Sequence, residues 1–249
     1  MADTTAPVYL ERIDERVVHV VMNRPERRNA ITGPFADAFA ATLDEVAADD
    51  NTTVVVLRGA GGAFCSGLDL KEFNADPAPS WVGGFGEKWQ SVHHRLFSSN
   101  KIIIGALERA AVNGGAALAL ACDLLVAGES AFLQVGEIQQ GMAAPMNMAW
   151  LRLRHSEALA ARVSLLGDRI YGPELATLGL AYQTVPDDRV LEVVAALAER
   201  CAQHEASGVH RIKTSMRRTV VTDTAQEWFA RSLAADPLAG RRLQPRAAE

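Results

Sequence analysis

The chain has 249 residues, of which 49% are hydrophobic and 22% charged, and its formal net charge is -5. That length supports one large core with an appendage rather than two equal domains. A negative balance without a basic block excludes a nucleic-acid surface as the main business of the chain, although a small anionic ligand would need only a few Lys or Arg.

Val17 to Met22 reads as a strand, the segment around Pro25 as a loop, and Thr32 to Asp49 as an amphipathic helix. Phe35, Phe39, Leu43 and Val46 share one face of that helix, and Thr32 is its N-cap. Thr53 to Leu57 is apolar, β-branched and followed by Gly59, Gly61 and Gly62, the pattern of a buried strand ending in a loop. Strand, helix, strand in that order favours α/β architecture with crossover helices. Residues 73 to 88 hold Pro77, Pro79 and the run Gly83-Gly84-Phe85-Gly86, the composition of a loop able to move near a site, as a lid would. A helix over Trp89 to Ser98, a strand over Ile102 to Ala106, an alanine-rich helix over Ala116 to Cys122 and a strand over Leu124 to Ala127 follow. Glu157 to Leu166, Pro173 to Leu178, Asp188 to His204 and Thr224 to Leu233 read as helices, with no sequence repeat and no heptads.

Cys65, Cys122 and Cys201 are far apart, odd in number and without paired metal-ligand spacing. They read as free thiols in a reducing compartment, with no structural zinc. Met1 to Pro7 has no apolar signal core, and no segment has the apolar length to span a bilayer, so the expected location is cytoplasmic.

The most informative stretch is Ala63-Phe64-Cys65-Ser66-Gly67-Leu68-Asp69-Leu70. A strand running into a tight glycine turn leaves backbone N-H groups unpaired beside a pocket, where they can hold a developing negative oxygen. With Asn23 to Ala30 before it, Cys122-Asp123 and Ala127 after it, and Gly167 to Pro186 further on, the chain resembles the crotonase (enoyl-CoA hydratase/isomerase) family over residues 8 to 220.

The resemblance implies a spiral of strand-strand-helix repeats, with an acyl-CoA core over residues 1 to 190 and a C-terminal helical region over 191 to 249. It also implies assembly into a trimer or hexamer, although the tail ends in Arg241-Arg242-Leu243-Gln244-Pro245-Arg246 where a further helix would be expected. No permanently bound cofactor is implied, since coenzyme A arrives as part of the thioester substrate. The family's first oxyanion donor is the backbone N-H after its turn glycine, which falls on Leu68.

Two registers compete for the second donor. Ala111-Val112-Asn113-Gly114 looks locally like the family's A-V-N-G strand end, but that match requires a deletion before Cys122-Asp123. Counting without gaps from Lys101 to Cys122 places Gly114 at the central oxyanion glycine and Leu107-Glu108-Arg109 where V-N-G is usual. In the same register one of the two hydratase glutamates falls at Ala117 and the other at Glu137. Alanine cannot accept a proton, so the pattern favours double-bond isomerisation over water addition, with Glu137 carrying a proton between C2 and C4.

By position, Ala30, Ser66, Gly67 and Leu70 match places where the family receives the adenine and pantetheine, and Arg28 or Lys71 could meet phosphate. Met142, Met146 and Met148 could line an acyl tunnel or pack in the core. His93 and His94 could serve hydrolysis but read better as surface or satisfied histidines. A non-catalytic acyl-CoA carrier is the rival from another class. A nucleotide-binding dehydrogenase, prompted by Val55 to Gly61, fails because Phe64 occupies the third glycine position and the next helix is too far away.

Overall fold

The computed structural model describes residues 5–218 and 224–234; the Arg241 to Arg246 segment lies outside them. β1 (Val8–Arg12) and β2 (Val17–Met22) lead to α1 (Gly33–Ala48) and β3 (Val54–Gly59). The short α2 (Leu70–Phe73) precedes α3 (Phe85–Ser98), β4 (Ile102–Leu107) and β5 (Ala110–Val112). Next come α4 (Gly114–Ala121), β6 (Leu124–Gly128), β7 (Phe132–Gln134), α5 (Pro145–Arg154) and α6 (Glu157–Leu166). β8 (Arg169–Tyr171), α7 (Gly172–Thr177), β9 (Gln183–Val185), α8 (Val190–Ala202), α9 (Ala206–Arg218) and α10 (Ala225–Ala234) complete the described chain.

The large sheet has the order β1-β2-β3-β4-β6-β9, parallel throughout except for the β1-β2 pair. Its central strands are runs of Val, Ile and Leu because both faces are covered, as parallel sheets require. Val18, Val20, Val55, Leu57 and Ile103 face the main core with Phe35 and Phe39 of α1. Their alternating neighbours Val17, Val54, Val56 and Ile104 face a second core against Val190, Val194 and Leu197 of α8. The period of two in the strands thus divides one apolar run between two layers.

The N-cap expectation at Thr32 holds: its side-chain oxygen accepts the Phe35 N-H at 3.3 Å, satisfying one of the orphan donors of the first turn. α3 begins at Phe85, four residues before the expected start at Trp89, and the glycine-rich run supplies its approach. Phe73, Trp81, Phe85 and Trp89 form a continuous aromatic chain there, with neighbouring ring centroids 5.5 to 6.4 Å apart. The contacts of Phe73 with Trp81 and Phe85, made beyond the reach of helical periodicity, help to organise the stretch read as a loop.

A small sheet, β5-β7-β8, stands apart from the large one, with β5 parallel to β7 and β8 antiparallel to it. It is the element that positions the site, because β5 runs directly into α4 and β7 into the turn carrying Glu137.

Candidate active site

Beyond β3 the chain returns alongside β5. Cys65 donates its N-H to the Ala110 carbonyl and accepts the Val112 N-H, both at 3.0 Å. Two residues on, Ile31 donates to the Gly67 carbonyl and Asp69 donates to the Ile31 carbonyl, each at 2.8 Å. A parallel bridge of this form consumes the groups flanking Leu68, so the N-H of Leu68 itself points away from Ile31. Gly67 has φ 85°, and a Cβ on it would lie 2.8 Å from the Val112 oxygen. Glycine is what allows this turn to close against β5.

Gly114 is the first residue of α4, where backbone N-H groups lack intrahelical partners. The preceding residue, Asn113, is fixed on every side. Its N-H donates to the Gln134 carbonyl at 2.8 Å and its Oδ1 accepts the Gly136 N-H at 2.8 Å. Its carbonyl accepts the Ala117 N-H at 3.0 Å and Asn147 Nδ2 at 3.1 Å. In a trans peptide the C=O and the following N-H point in opposite directions, so holding the Asn113 carbonyl aims the Gly114 N-H the other way. Among the described residues no acceptor takes the N-H of Leu68 or of Gly114. Both residues line one cavity of about 740 Å³.

Glu137 lines the same cavity from a single helical turn after β7. It is 8% exposed, and so is not the solvated loop carboxylate that an isolated glutamate would suggest. Asn147 Nδ2 donates to its Oε1 at 2.8 Å, while Oε2 has no partner among the described residues. Burial pushes its pKa up to about 7, against smaller lowering contributions from its own backbone N-H and the Asn147 amide. Two other carboxylates reach the cavity wall. Asp69 is held by ion pairs to Arg27 at 2.9 Å and Arg24 at 3.2 Å, and Glu26 is exposed. Ala117, on α4, is fully buried and offers no proton acceptor.

Of the other expected contacts, Arg28, Ala30, Ser66, Leu70 and Lys71 line the cavity; Gly67 does not, its role being the turn itself. Met142 and Met146 also line it, whereas Met148 does not: its sulfur accepts the Ser164 hydroxyl at 3.2 Å. Phe85 and Trp89 of α3 add an aromatic wall that the sequence reading did not assign to the site. Asn113 and Asn147 were missed too. Asn113 appeared only within the Ala111-Val112-Asn113-Gly114 strand-end match, and a lone asparagine between methionines carries no motif. His93 is fully buried, accepts the Trp150 indole N-H through Nδ1 at 2.9 Å and lies off the cavity wall, a core histidine whose Nε2 has no partner among the described residues.

The arrangement leaves two unpaired N-H donors and one weakly acidic carboxyl on the wall of a single cavity. Residues 12–234 match the family model described as enoyl-CoA hydratase/isomerase. Over 208 residues the chain is 31% identical to the 2,3-dehydroadipyl-CoA hydratase of Escherichia coli (strain K12), covering 82% of this chain and 80% of that protein. It is 29% identical over 211 residues to the 1,2-epoxyphenylacetyl-CoA isomerase of the same strain, covering 83% and 80% respectively. Among solved structures, an enoyl-CoA hydratase from Mycobacterium tuberculosis H37Rv matches with a TM-score of 0.74 at 31% identity, covering 92% of this chain and 96% of that one. A monofunctional enoyl CoA isomerase from M. smegmatis matches with a TM-score of 0.72 at 25% identity, covering 90% and 98%.

Proposed function

Because the chain belongs to the enoyl-CoA hydratase/isomerase family, we propose that it acts on an enoyl-CoA thioester as a double-bond isomerase with one proton-carrying carboxylate. The observation that carries this reading is the cavity wall: Leu68, Gly114 and Glu137 line it together, while Ala117, fully buried and not one of the lining residues, supplies no second carboxylate. Relatives with either activity in their names match the chain comparably, so the choice between the two reactions rests on these residues.

In the proposed reaction the thioester oxygen of a 3-enoyl-CoA accepts the N-H groups of Leu68 and Gly114. Glu137, as carboxylate, removes a proton from C2, and the C-H electrons move into the thioester to give a dienolate whose oxygen the two donors stabilise. The same carboxyl then returns the proton to C4. The double bond shifts to C2-C3 and the carbonyl re-forms, so no atom is gained or lost. Arg28 and Lys71, at the cavity wall and outside any ion pair among the described residues, meet the phosphates of coenzyme A. Phe85, Trp89, Met142 and Met146 receive the acyl chain.

A mass-spectrometric turnover screen across enoyl-CoAs differing in chain length and double-bond position tests this directly. Conversion of 3-enoyl to 2-enoyl thioesters faster than hydration of 2-enoyl thioesters is the expected result. Binding without turnover of any substrate would replace the reading with that of an acyl-CoA carrier.

A further inference from the structure

Asn147 sits in the first turn of α5, is 1% exposed, and uses one nitrogen to reach two different elements. Its Nδ2 donates to the Asn113 carbonyl at 3.1 Å and to Glu137 Oε1 at 2.8 Å. An amide NH2 has two hydrogens, and both are committed. One partner belongs to the peptide whose other end is the Gly114 N-H. The other belongs to the carboxyl assigned the proton transfer. We propose that Asn147 is a positioning residue that fixes the Gly114 N-H and the Glu137 carboxyl relative to one another, leaving Oε2 as the oxygen that exchanges the substrate proton. The inference rests on the function proposed above and deepens it.

Three features support it. Asn113 is held at φ 51°, ψ -112°, a region that costs a side-chain-bearing residue conformational energy and persists only where its surroundings enforce it. The Asn147 bond to its carbonyl, with the Gly136 N-H on its Oδ1, is that enforcement. Second, Glu137 Oε2 and Asn147 Oδ1 are buried without partners among the described residues. Buried acceptors are ordinarily satisfied, so two orphans on one cavity wall mark where a hydrogen donor from substrate or solvent belongs. Third, no charged neighbour acts on Glu137: after burial and its own backbone N-H, the Asn147 amide is the remaining group that acts on its proton affinity. A donor to the carboxylate favours the charged form, so Asn147 fixes where Oε2 points and adds to the pull towards the carboxylate.

The test compares Asn147→Ala, Asn147→Ser and the near-isosteric Asn147→Asp with Glu137→Gln in the full-length protein. Isomerisation of a 3-enoyl-CoA would be followed as a function of pH, with circular dichroism to check folding. For Asn147→Ala and Asn147→Ser the expected result is a fall in kcat of about 10- to 100-fold with KM nearly unchanged. The midpoint of the pH-rate profile should move up by about one unit, because the carboxylate has lost a donor. Asn147→Asp should move it further in the same direction, since it sets a second carboxyl beside the first. Folded variants whose midpoint stays at the wild-type value would overturn the inference, even if their activity falls, because a merely structural role for Asn147 would leave Glu137 titrating as before. Glu137→Gln separates the two levels. If it retains turnover, the assignment of Glu137 fails; if it is inactive while the Asn147 variants keep the wild-type midpoint, only the role of Asn147 fails.

Discussion

At the scale of single residues, burial acts on Glu137 and His93 with opposite consequences for pH. Burial raises the Glu137 pKa from 4.5 to about 7 and lowers that of His93 from 6.5 to about 3, each side chain being kept neutral. Since the proposed reaction begins with the Glu137 carboxylate, kcat/KM for isomerisation should rise with pH through a single midpoint near 7 and level off above it. A midpoint near 4.5, the ordinary value, would mean that the carboxyl is solvated during turnover.

The same shifts enter stability. Between pH 3 and 6.5 the unfolded chain binds a proton at His93 that the folded chain does not, so stability falls as pH drops through that window. The slope from this one group is up to about 1.4 kcal/mol per pH unit. Glu137 works the other way between 4.5 and about 7, binding its proton in the folded state first and losing that contribution as pH rises. Chemical denaturation of Glu137→Gln at several pH values, compared with a Glu137→Gln/His93→Gln double variant, isolates the histidine. The double variant should show the shallower decline towards acid.

Glu137 was legible as a candidate because it falls at a fixed distance from Cys122-Asp123 in a recognisable register. Its depth of burial was not, because it depends on α5 closing over the turn, a contact made across the chain. The N-H of Gly114 makes its own prediction. Gly114→Pro removes that donor at the first position of a helix, but it also strains Asn113 at ψ -112° and brings a Cβ to 2.9 Å from Ile31 Cδ1, so folding is measured beside turnover. Turnover should fall on the order of 10²-fold or more while the circular dichroism spectrum is retained. A folded variant with unchanged turnover would remove Gly114 from the reaction.

Between elements, Asp123 is the main polar junction. It follows α4, accepts the Ile103 N-H of β4 at 2.8 Å, and pairs with Arg154 of α5 at 3.2 Å and Lys213 of α9 at 2.7 Å. Lys213, 4% exposed, also donates to the Lys101 carbonyl. Removing the carboxylate would leave a buried ammonium without its counter-charge, so Asp123→Ala should destabilise the protein by about 3 to 5 kcal/mol in chemical denaturation. A loss under about 1 kcal/mol, the value of an exposed pair, would show that the junction is solvated.

Elements with a local signature were readable in the sequence. Thr32 with the apolar face of α1 gave a helix within one residue at each end, and the β-branched runs gave β2 and β3. The small sheet escaped notice because each of β5, β7 and β8 has three residues, too few for any alternation to register, and is defined by its neighbours instead. The start of α3 was missed for a related reason. Three glycines around Phe85 signal a loop locally, and the contacts of Trp81 and Phe85 with Phe73 that override them are tertiary.

For the molecule as a whole, the two apolar layers flanking the parallel sheet leave one end of the small sheet and the N-terminus of α4 to enclose the cavity. No helix of the described residues is long and apolar enough to cross a membrane. Leu165 and Leu166 at the end of α6 are 68% and 60% exposed, adjacent apolar side chains with nothing over them among the described residues. Apolar surface of that kind often marks an association site. We propose a trimer or hexamer, the assembly that the family resemblance implies, and sedimentation velocity at micromolar concentration should show one. A clean monomer would contradict it.

The proposed division of roles is that Glu137 alone carries the proton and Ala117 directs the chemistry to isomerisation. It is tested most directly by measuring isomerase and hydratase turnover on one acyl chain for the wild type, Glu137→Gln and Ala117→Glu. The wild type should isomerise faster than it hydrates, and Glu137→Gln should lower isomerisation by roughly 10²- to 10⁴-fold with ligand affinity nearly intact. Ala117→Glu should raise hydration if the α4 wall admits the side chain and a water. Wild-type hydration that exceeds isomerisation and is indifferent to Glu137→Gln would mean that another group activates the water, and the assignment of Glu137 as proton carrier would be wrong.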